Sequence, residues 1–394
     1  MGFDVPYGNV SGATNNSSRD IICSFDSLYR AMKISSQNLM WKDSVSGWVA
    51  NGIVNCTKLR NELLNNEYQI SQYTEFVIYE PKRREIVSTR FKDRVFQRSM
   101  CDNYLTAEIS KGFIYDNGAC LNNKGTEFSR KRLRAHLQQF YRQHGTEGYV
   151  LKCDIKNYFG STEHDLASAA VIKRVEDEWV RRKTEDIIQS FNQGPNPDIG
   201  MGLGSQVTQL IQLAVLDDLD HIIKEKFKIK HYVRYMDDFI LIHESKEYLE
   251  ECRAYIAHWM EERKLSLNIK KTQIFPITQR IRFLGFSYQL TDTGYVIIRV
   301  LPEKVKKKKR KLKRLVDRYD RGLMTKADVD ASYIAFRTYL GFGDNRNVIQ
   351  RFDTFYYHLW RNYYERKALE QNSATPACQS KDKNAPSNQR KVES

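Results

Sequence analysis

Two adjacent carboxylates, Asp237 and Asp238, stand between runs that suit a β-sheet. Tyr232, Val233 and Tyr235 lead in, and Phe239, Ile240, Leu241 and Ile242 lead out, all β-branched, aromatic or aliphatic. A run of this kind is expected to be buried, and a pair of like charges beside a core needs a compensating cation. A third carboxylate, Asp154, stands upstream in KCDIKNYF, near the end of a strand-like segment and just before a helix start. A hairpin with Asp237 at its tip would place Asp154 beside it on a neighbouring strand. Three converging carboxylates are the arrangement with which two magnesium ions hold a triphosphate and activate a 3′-hydroxyl. One ion lowers the pKa of the attacking hydroxyl, and the other neutralises the leaving pyrophosphate. The competing reading is a plain hairpin with Asp in its turn, where Asp is common. The rest of the chain has to decide between them.

The chain has 394 residues, enough to bury a large core in two or three domains. It is 41% hydrophobic and 12% aromatic, so most of it is expected to be globular rather than disordered. The formal charge is +15, which favours a polyanionic partner, nucleic acid before membrane, because basic surface attracts phosphate and releases counterions. Seven cysteines, at 23, 56, 101, 120, 153, 252 and 378, form no CxxC or Cys/His ligand spacing. Such an odd, scattered set points to reduced thiols rather than a disulfide framework or a zinc site. The first residues, MGFDVPYGNV, lack the apolar segment of a signal peptide, and no run of about 18 apolar residues could span a bilayer. A cytoplasmic protein without a membrane partner is expected.

The elements that must position the carboxylates are legible as changes of period. Residues 1–20 are a polar lead-in, and helical spacing follows through Leu28, Met32, Leu59, Leu63 and Leu64. From Tyr73 the pattern turns to strand in EFVIYEPKRREIVSTRF; helical spacing returns between 100 and 145; YVLKCDI at 149–155 makes another strand. Ser161 and Thr162 are helix N-cap candidates, Thr162 with Asp165 three residues on. After the Gly/Pro loop GPNPDIGMGLG at 194–204, SQVTQLIQLAVLDDLDHIIKEKF predicts one long amphipathic helix. Helix 246–263 and the strands LSLNIKKTQIF and IRFLGFSYQL follow the Asp pair. From Pro302 to about 365 the chain is helical and basic, and residues 370–394 have a disordered composition. Helices alternate with antiparallel strands without a Gly-rich dinucleotide fingerprint, which predicts an α+β fold.

YMDD at 235–238, DIKNYF at 154–159, EPKRREI at 80–86 with FKDRV at 91–95, LSLNIKKT at 265–272 and FLGF at 283–286 resemble, in that order, the motifs of reverse transcriptases. The chain looks most like the bacterial, group II-intron-related branch, over residues 25 to 360. The resemblance implies a right hand of fingers, palm and thumb. The corresponding boundaries are a lead-in at 1–20, a helical N-terminal extension at 21–75 and interleaved fingers and palm at 76–290. A basic helical thumb at 291–365 and a disordered tail at 366–394 complete it. It further implies Asp154, Asp237 and Asp238 as ligands of two Mg²⁺ ions, with Asp238 less direct. Phe159 would stack under the incoming sugar and exclude a 2′-hydroxyl. Arg84, with Lys82, would clamp the triphosphate through guanidinium geometry. Lys271 resembles the lysine that protonates pyrophosphate. Phe283, Leu284 and Gly285 would grip the primer end.

The Gly loop departs from most bacterial relatives. It reads GMGLGSQVTQ, with Ser205-Gln206 where Ser-Pro is usual and no Gln at the customary place. That ending resembles the reverse transcriptases of diversity-generating retroelements and some stand-alone defence-associated ones, and it predicts altered fidelity near the nascent base pair. Ser205 and Gln206 therefore join the expected dNTP-binding residues. The run PEKVKKKKRKLKRL would track the phosphates of a template–primer duplex through Lys306, Lys307, Lys309, Arg310 and Lys313. The expected partners are an RNA template, an RNA/DNA hybrid and dNTPs, with a cognate noncoding RNA or accessory protein also compatible. The leading expectation is RNA-directed DNA synthesis for a diversity-generating retroelement. An antiviral-defence enzyme, working on a dedicated noncoding RNA or without a conventional template, is the alternative. An RNA-binding, maturase-like protein is an alternative of another class, and the three intact carboxylates speak against it. An RNA-dependent RNA polymerase shares the two-metal logic, but bulky Phe159 argues against ribonucleotides.

Overall fold

The computed structural model describes residues 17–79, 84–192, 197–202 and 204–373. The chain forms two compact units, residues 1–284 with 288–296, and residues 285–287 with 297–394.

The first unit opens with four helices, α1 Ser18–Cys23, α2 Phe25–Ser36, α3 Asp43–Ala50 and α4 Gly52–Leu64. Ser17 and Asp20 form a reciprocal capping box at α1, and Ser24 accepts from the Ser27 N–H at α2, so polar side chains satisfy the first free amides. A two-stranded antiparallel hairpin follows, β1 Thr74–Ile78 with β2 Arg84–Ser88. Next come α5 Phe91–Met100, a wide π-type turn at Cys101–Leu105, α6 Thr106–Ser110 and the long α7 Thr126–His144.

The central sheet is built from β3 Tyr149–Asp154, β4 His231–Tyr235, β5 Asp238–His243 and β6 Gln273–Pro276, in the order β4-β5-β3-β6. All three pairings are antiparallel. Period-two alternation divides its faces. Leu151, Cys153, Phe239 and Leu241 are fully buried and share one core with Val95 and Phe96 of α5. Lys152 and Asp154 lie on the opposite face, where Asp154 pairs in register with Asp238.

Between β3 and β4 run α8 Tyr158–Ser161, α9 His164–Ile172, α10 Glu178–Gln189, α11 Gln206–Val215 and α12 Asp217–His221. Two local expectations are corrected here. Thr162 does not cap α9: Glu163 holds the cap position without a side-chain bond, and the Thr162 hydroxyl donates to the Tyr158 carbonyl at 2.8 Å. The long helix expected after Ser205 breaks at Leu216 into α11, α12 and a π-type turn at Ile222–Lys226. The break turns Asp217 and Asp220 inward, where the first meets Arg174 and the second meets Arg234. An amphipathic pattern counts such Asp residues as solvent-facing, so it cannot anticipate buried partners.

Helix α13 Lys246–Glu261 follows β5, and β7 Ile281–Phe283, β8 Phe286–Leu290 and β9 Val296–Val300 form a three-stranded sheet in that order. The second unit contains α14 Pro302–Asp320, α15 Lys326–Leu340 and α16 Arg346–Ser373. Pro302 begins α14, where a missing N–H costs nothing. Tyr333 of α15 stacks on Tyr356 of α16 at 3.9 Å between centroids, and Phe336 packs edge-on to Phe352. Helix α16 continues to Ser373, past the point at 366 where a disordered tail was expected, and residues 374–394 lie outside the described residues. Among the described residues no helix is long and apolar enough to cross a membrane.

The fully buried Arg234–Asp220 pair sets a stability expectation. Asp220→Ala leaves an uncompensated guanidinium in the core and should cost about 3–5 kcal/mol in urea denaturation. A loss below about 1 kcal/mol would show that water reaches the pair.

Candidate active site

The β4–β5 connection is a two-residue turn: Tyr235 pairs with Asp238, and Met236 and Asp237 make the bend. Met236 has φ +57, the left-handed region that a side chain of this size rarely adopts. Arg234 holds the bend from behind. Its guanidinium meets both oxygens of Asp220 at 2.5–2.9 Å and donates to the Met236 carbonyl at 3.2 Å and the Leu213 carbonyl at 3.1 Å. The Tyr232 hydroxyl also donates to Asp220, at 2.6 Å.

The register places Asp238, not Asp237, directly opposite Asp154; Asp237 occupies the turn. The sequence reading set Asp154 beside Asp237. A two-residue turn shifts the pairing by one residue, because the tip residues themselves do not pair. Lys271 contacts both Asp154 oxygens at 2.8 Å, and Asn268 donates to Asp154 at 3.2 Å. The segment carrying both is pinned to the strand end: Asn268 N–H donates to the Asp154 carbonyl at 2.7 Å and Lys156 N–H to the Ser266 carbonyl at 2.9 Å. Lys152, two residues before Asp154 and so on the same face, lies 3.1 Å from Asp238 Oδ1 and 3.4 Å from Oδ2. It also donates to the Arg282 carbonyl at 2.5 Å.

Burial pushes the Asp238 carboxyl up to about 6, against the opposing pull of Lys152, and the neighbouring Asp154 and Asp237 charges add to the rise. Its Oδ1 is buried near Lys152, close enough for an ion pair but without an aligned hydrogen bond. Among the described residues no three His, Cys, Asp or Glu side chains gather closely enough to form a ready-made metal cage. Asp154 and Asp238 are nevertheless hard oxygen donors on one sheet face, one with an unsatisfied oxygen, beside a turn that carries Asp237. That donor set fits hard divalent cations such as Mg²⁺.

Phe159 is half-buried in α8, five residues beyond Asp154. The Gly loop is stitched to this turn: Met201 N–H donates to the Phe159 carbonyl at 2.7 Å and Gly200 N–H to the Thr162 carbonyl at 2.9 Å. Gly200 has φ +102, which an L side chain would strain. Ser205 is 2% exposed. Its hydroxyl accepts from Thr208 N–H at the start of α11 and donates to Gln97 Oε1 at 2.8 Å, so it acts on the loop and not on a nucleotide directly. Gln206 is half-buried beside it. Arg84 begins β2, paired with Ile78, and Lys82 lies outside the described residues.

Phe283 is buried in β7, and Leu284 and Gly285 have φ +46 and +88, forming the turn into β8 rather than a bulge within a strand. The Leu284 carbonyl accepts from Arg130 at 2.9 and 3.2 Å. On α14, Lys306, Lys307, Arg310 and Lys313 are exposed. Lys309 is half-buried, with its ammonium 4.7 Å from the Phe355 ring centre, so its charge is engaged by an aromatic face.

Comparison with known families places the chain. Residues 82–288, more than half of the chain, match the model of the family described as reverse transcriptase (RNA-dependent DNA polymerase). The chain belongs to the reverse transcriptase family. It therefore has the right-hand polymerase fold, and the domain it carries is an RNA-directed DNA polymerase, a nucleotidyltransferase. No curated protein matches it. Among solved structures it is similar to apo telomerase from Candida tropicalis, at 13% identity and TM-score 0.41, over 56% of this chain and 47% of that one. It is also similar to telomerase from Candida albicans in complex with a TWJ fragment of telomeric RNA, at 11% identity and TM-score 0.47, over 86% of this chain and 66% of that one. The chain thus spans about half to two thirds of the length of these telomerases.

Sequence reasoning did not find Lys152, Asn268, Arg234, Asp220 or Gln97 around this candidate site. Lys152 had a signal, since a residue two before Asp154 on a strand must share its face. Gln97 and Ser205, 108 positions apart, had none.

The raised Asp238 carboxyl sets a pH expectation. The folded state holds the proton more tightly than the unfolded chain, whose value is near 3.8. The metal-free protein should therefore lose stability as pH rises from about 4 through about 6, and keep that deficit above it. Asp238→Asn should flatten this part of a Tm–pH profile and raise Tm at pH 7.5. An unchanged profile in the variant would show that Asp238 is not the group responsible.

Proposed function

We propose that this protein is a reverse transcriptase that extends a primer on an RNA template by adding dNTPs. The observation that carries the reading is the register of Asp154 with Asp238 beside the Asp237 turn, in a chain of the reverse transcriptase family. Asp154 and Asp237, with Asp238 less directly, would hold the divalent cations, for which two Mg²⁺ ions are the reading. When bound, these ions supply Lewis-acid activation of the primer 3′-hydroxyl and neutralise the leaving pyrophosphate.

The chain's own residues take the other roles. Arg84, at the start of β2, is assigned to the triphosphate together with Lys82. Phe159, tied through its carbonyl to the Gly loop, is assigned to the sugar face, where a 2′-hydroxyl would meet its ring. Lys271 sits 2.8 Å from Asp154 and is assigned to release that carboxylate on substrate binding and to donate a proton to pyrophosphate. Phe283, Leu284 and Gly285 are assigned to the primer end, and the exposed lysines and arginine of α14 to duplex phosphates. Residues 76–290 are read as fingers and palm and 291–365 as thumb.

Within the family, the Ser205-Gln206 ending is compatible with the diversity-generating branch, taken as the leading reading with altered fidelity and a cognate RNA as partner, and equally with an antiviral-defence enzyme as its alternative.

Purified protein with Mg²⁺, labelled dNTPs and a primed RNA template should incorporate nucleotide, and Asp237→Ala or Asp154→Ala should lower the rate by about 10³-fold or more. Incorporation that survives both substitutions would end the assignment. Sequencing the products tests the branch: an error frequency like that of an ordinary Ser-Pro relative would remove it. Phe159→Ala should raise use of rNTP relative to dNTP by at least about 10-fold. Unchanged sugar selectivity would move the steric gate elsewhere.

A further inference from the structure

The sheet face that carries Asp154 and Asp238 also carries a cation that the roles assigned above leave unused. Lys152 pairs in register with Ile240, and Asp154 with Asp238, so Lys152 and Asp238 are diagonal neighbours on one face. The Lys152 side chain is 18% exposed, against 52% for Lys271. Lys271 is an accessible counter-ion of Asp154, whereas Lys152 is an enclosed one.

A lysine ammonium has three donors and no acceptor, so an enclosed one needs oxygens around it. Here they come from two separate elements. Lys152 Nζ lies 3.1 Å from Asp238 Oδ1 and donates to the Arg282 carbonyl of β7 at 2.5 Å. Strand β7 stands outside the sheet that carries the carboxylates and pairs instead with β8. The ladder of the central sheet therefore does not set its distance from Asp154 and Asp238. Side-chain cations hold its main chain: Lys152 at Arg282, and Arg130 of α7 at the Leu284 carbonyl, at 2.9 and 3.2 Å. An apolar pair would join two such layers at a lower desolvation cost, so a buried ammonium here answers a demand for position.

We propose that Lys152 is a positioning residue for nucleotidyl transfer, whose one ammonium ties the Asp238 carboxylate to β7 and so sets the primer end against the carboxylates. The inference rests on the polymerase reading above, in which Phe283 and Leu284 of this segment meet the primer end.

Lys152→Met keeps the stem and loses both bonds, and Lys152→Arg keeps the charge and the donors. A primer with 2-aminopurine at its 3′ end, annealed to RNA, reports the surroundings of the primer terminus. It is bound to the full-length protein without metal or dNTP, and fluorescence anisotropy measures the affinity for the same hybrid. Steady-state incorporation with Mg²⁺ separates kcat from the dNTP KM. Thermal melts check folding. Should Lys152→Met fail to fold with Asp238 stranded, the double variant with Asp238→Asn removes that charge and carries the same expectation for the 2-aminopurine signal.

Lys152→Met is expected to shift that signal towards the free hybrid and to lower kcat by about 10- to 100-fold. The dNTP KM should stay within about 3-fold and the hybrid affinity within about 2-fold, and Lys152→Arg should recover both losses. An unchanged primer-terminal signal in Lys152→Met overturns the proposal. So does an equal loss in Lys152→Arg, which would reduce Lys152 to packing, and so does a fall in hybrid affinity that matches the fall in kcat, which would make it a nucleic-acid contact. Wild-type incorporation reports separately on the polymerase reading. Its absence with the 2-aminopurine shift intact would remove that reading and keep the tie between Asp238 and β7.

Discussion

The turn that presents Asp237 depends on a charge pair with no access to water. Arg234 and Asp220 are both fully buried, and each would be untenable without the other. Their pairing also directs what surrounds them. The guanidinium ties the Met236 carbonyl, the Leu213 carbonyl at the end of α11 and the α12 carboxylate into one network. It thereby fixes a bend whose first residue has an unfavourable backbone conformation. A hydrophobic pair of similar volume would pack as well but would leave the Met236 carbonyl without this donor. The ion pair is thus better understood as a device for placing the turn than as a source of stability.

Around that turn, protein cations stand against the carboxylates. Lys271 occupies Asp154, and Lys152 lies against Asp238 while reaching the main chain of β7. Carboxylates gathered for a cation would repel one another without some positive charge nearby. The two lysines supply that charge, and their flexible stems allow them to withdraw. Burial still holds the Asp238 carboxyl well above the usual carboxylate range, which shows that the compensation is incomplete.

The substrate side of the site is organised by main-chain contacts. The Gly loop hydrogen-bonds to the α8 turn through Met201 and Gly200, and a β-carbon at Gly204 would come within 3.2 Å of the Val87 carbonyl of β2. The three segments expected to meet a nucleotide, β2, the α8 turn and the Gly loop, therefore pack through backbone, where glycine allows the approach. Gln97 joins α5 to this assembly through Ser205, so the residue that distinguishes this loop in sequence does its work from beneath it.

Much of this was legible in the residues alone. Strands flanking Asp237-Asp238, the strand ending at Asp154, the helical N-terminal region and the basic helix from Pro302 follow from period and composition, which are local properties. The pairing of the motifs with polymerase chemistry came instead from their resemblance, in order, to those of reverse transcriptases. Tertiary structure alone decided that Asp238 rather than Asp237 faces Asp154, because register depends on turn length and on hydrogen bonds across strands. It alone broke the helix after Ser205 at Leu216, where buried Asp217 and Asp220 meet arginines remote in sequence. And it alone joined Gln97 to Ser205, a contact between distant residues that no local pattern encodes. Periodicity reports which face of an element is apolar; which polar group waits opposite a buried one is settled only when the chain closes on itself.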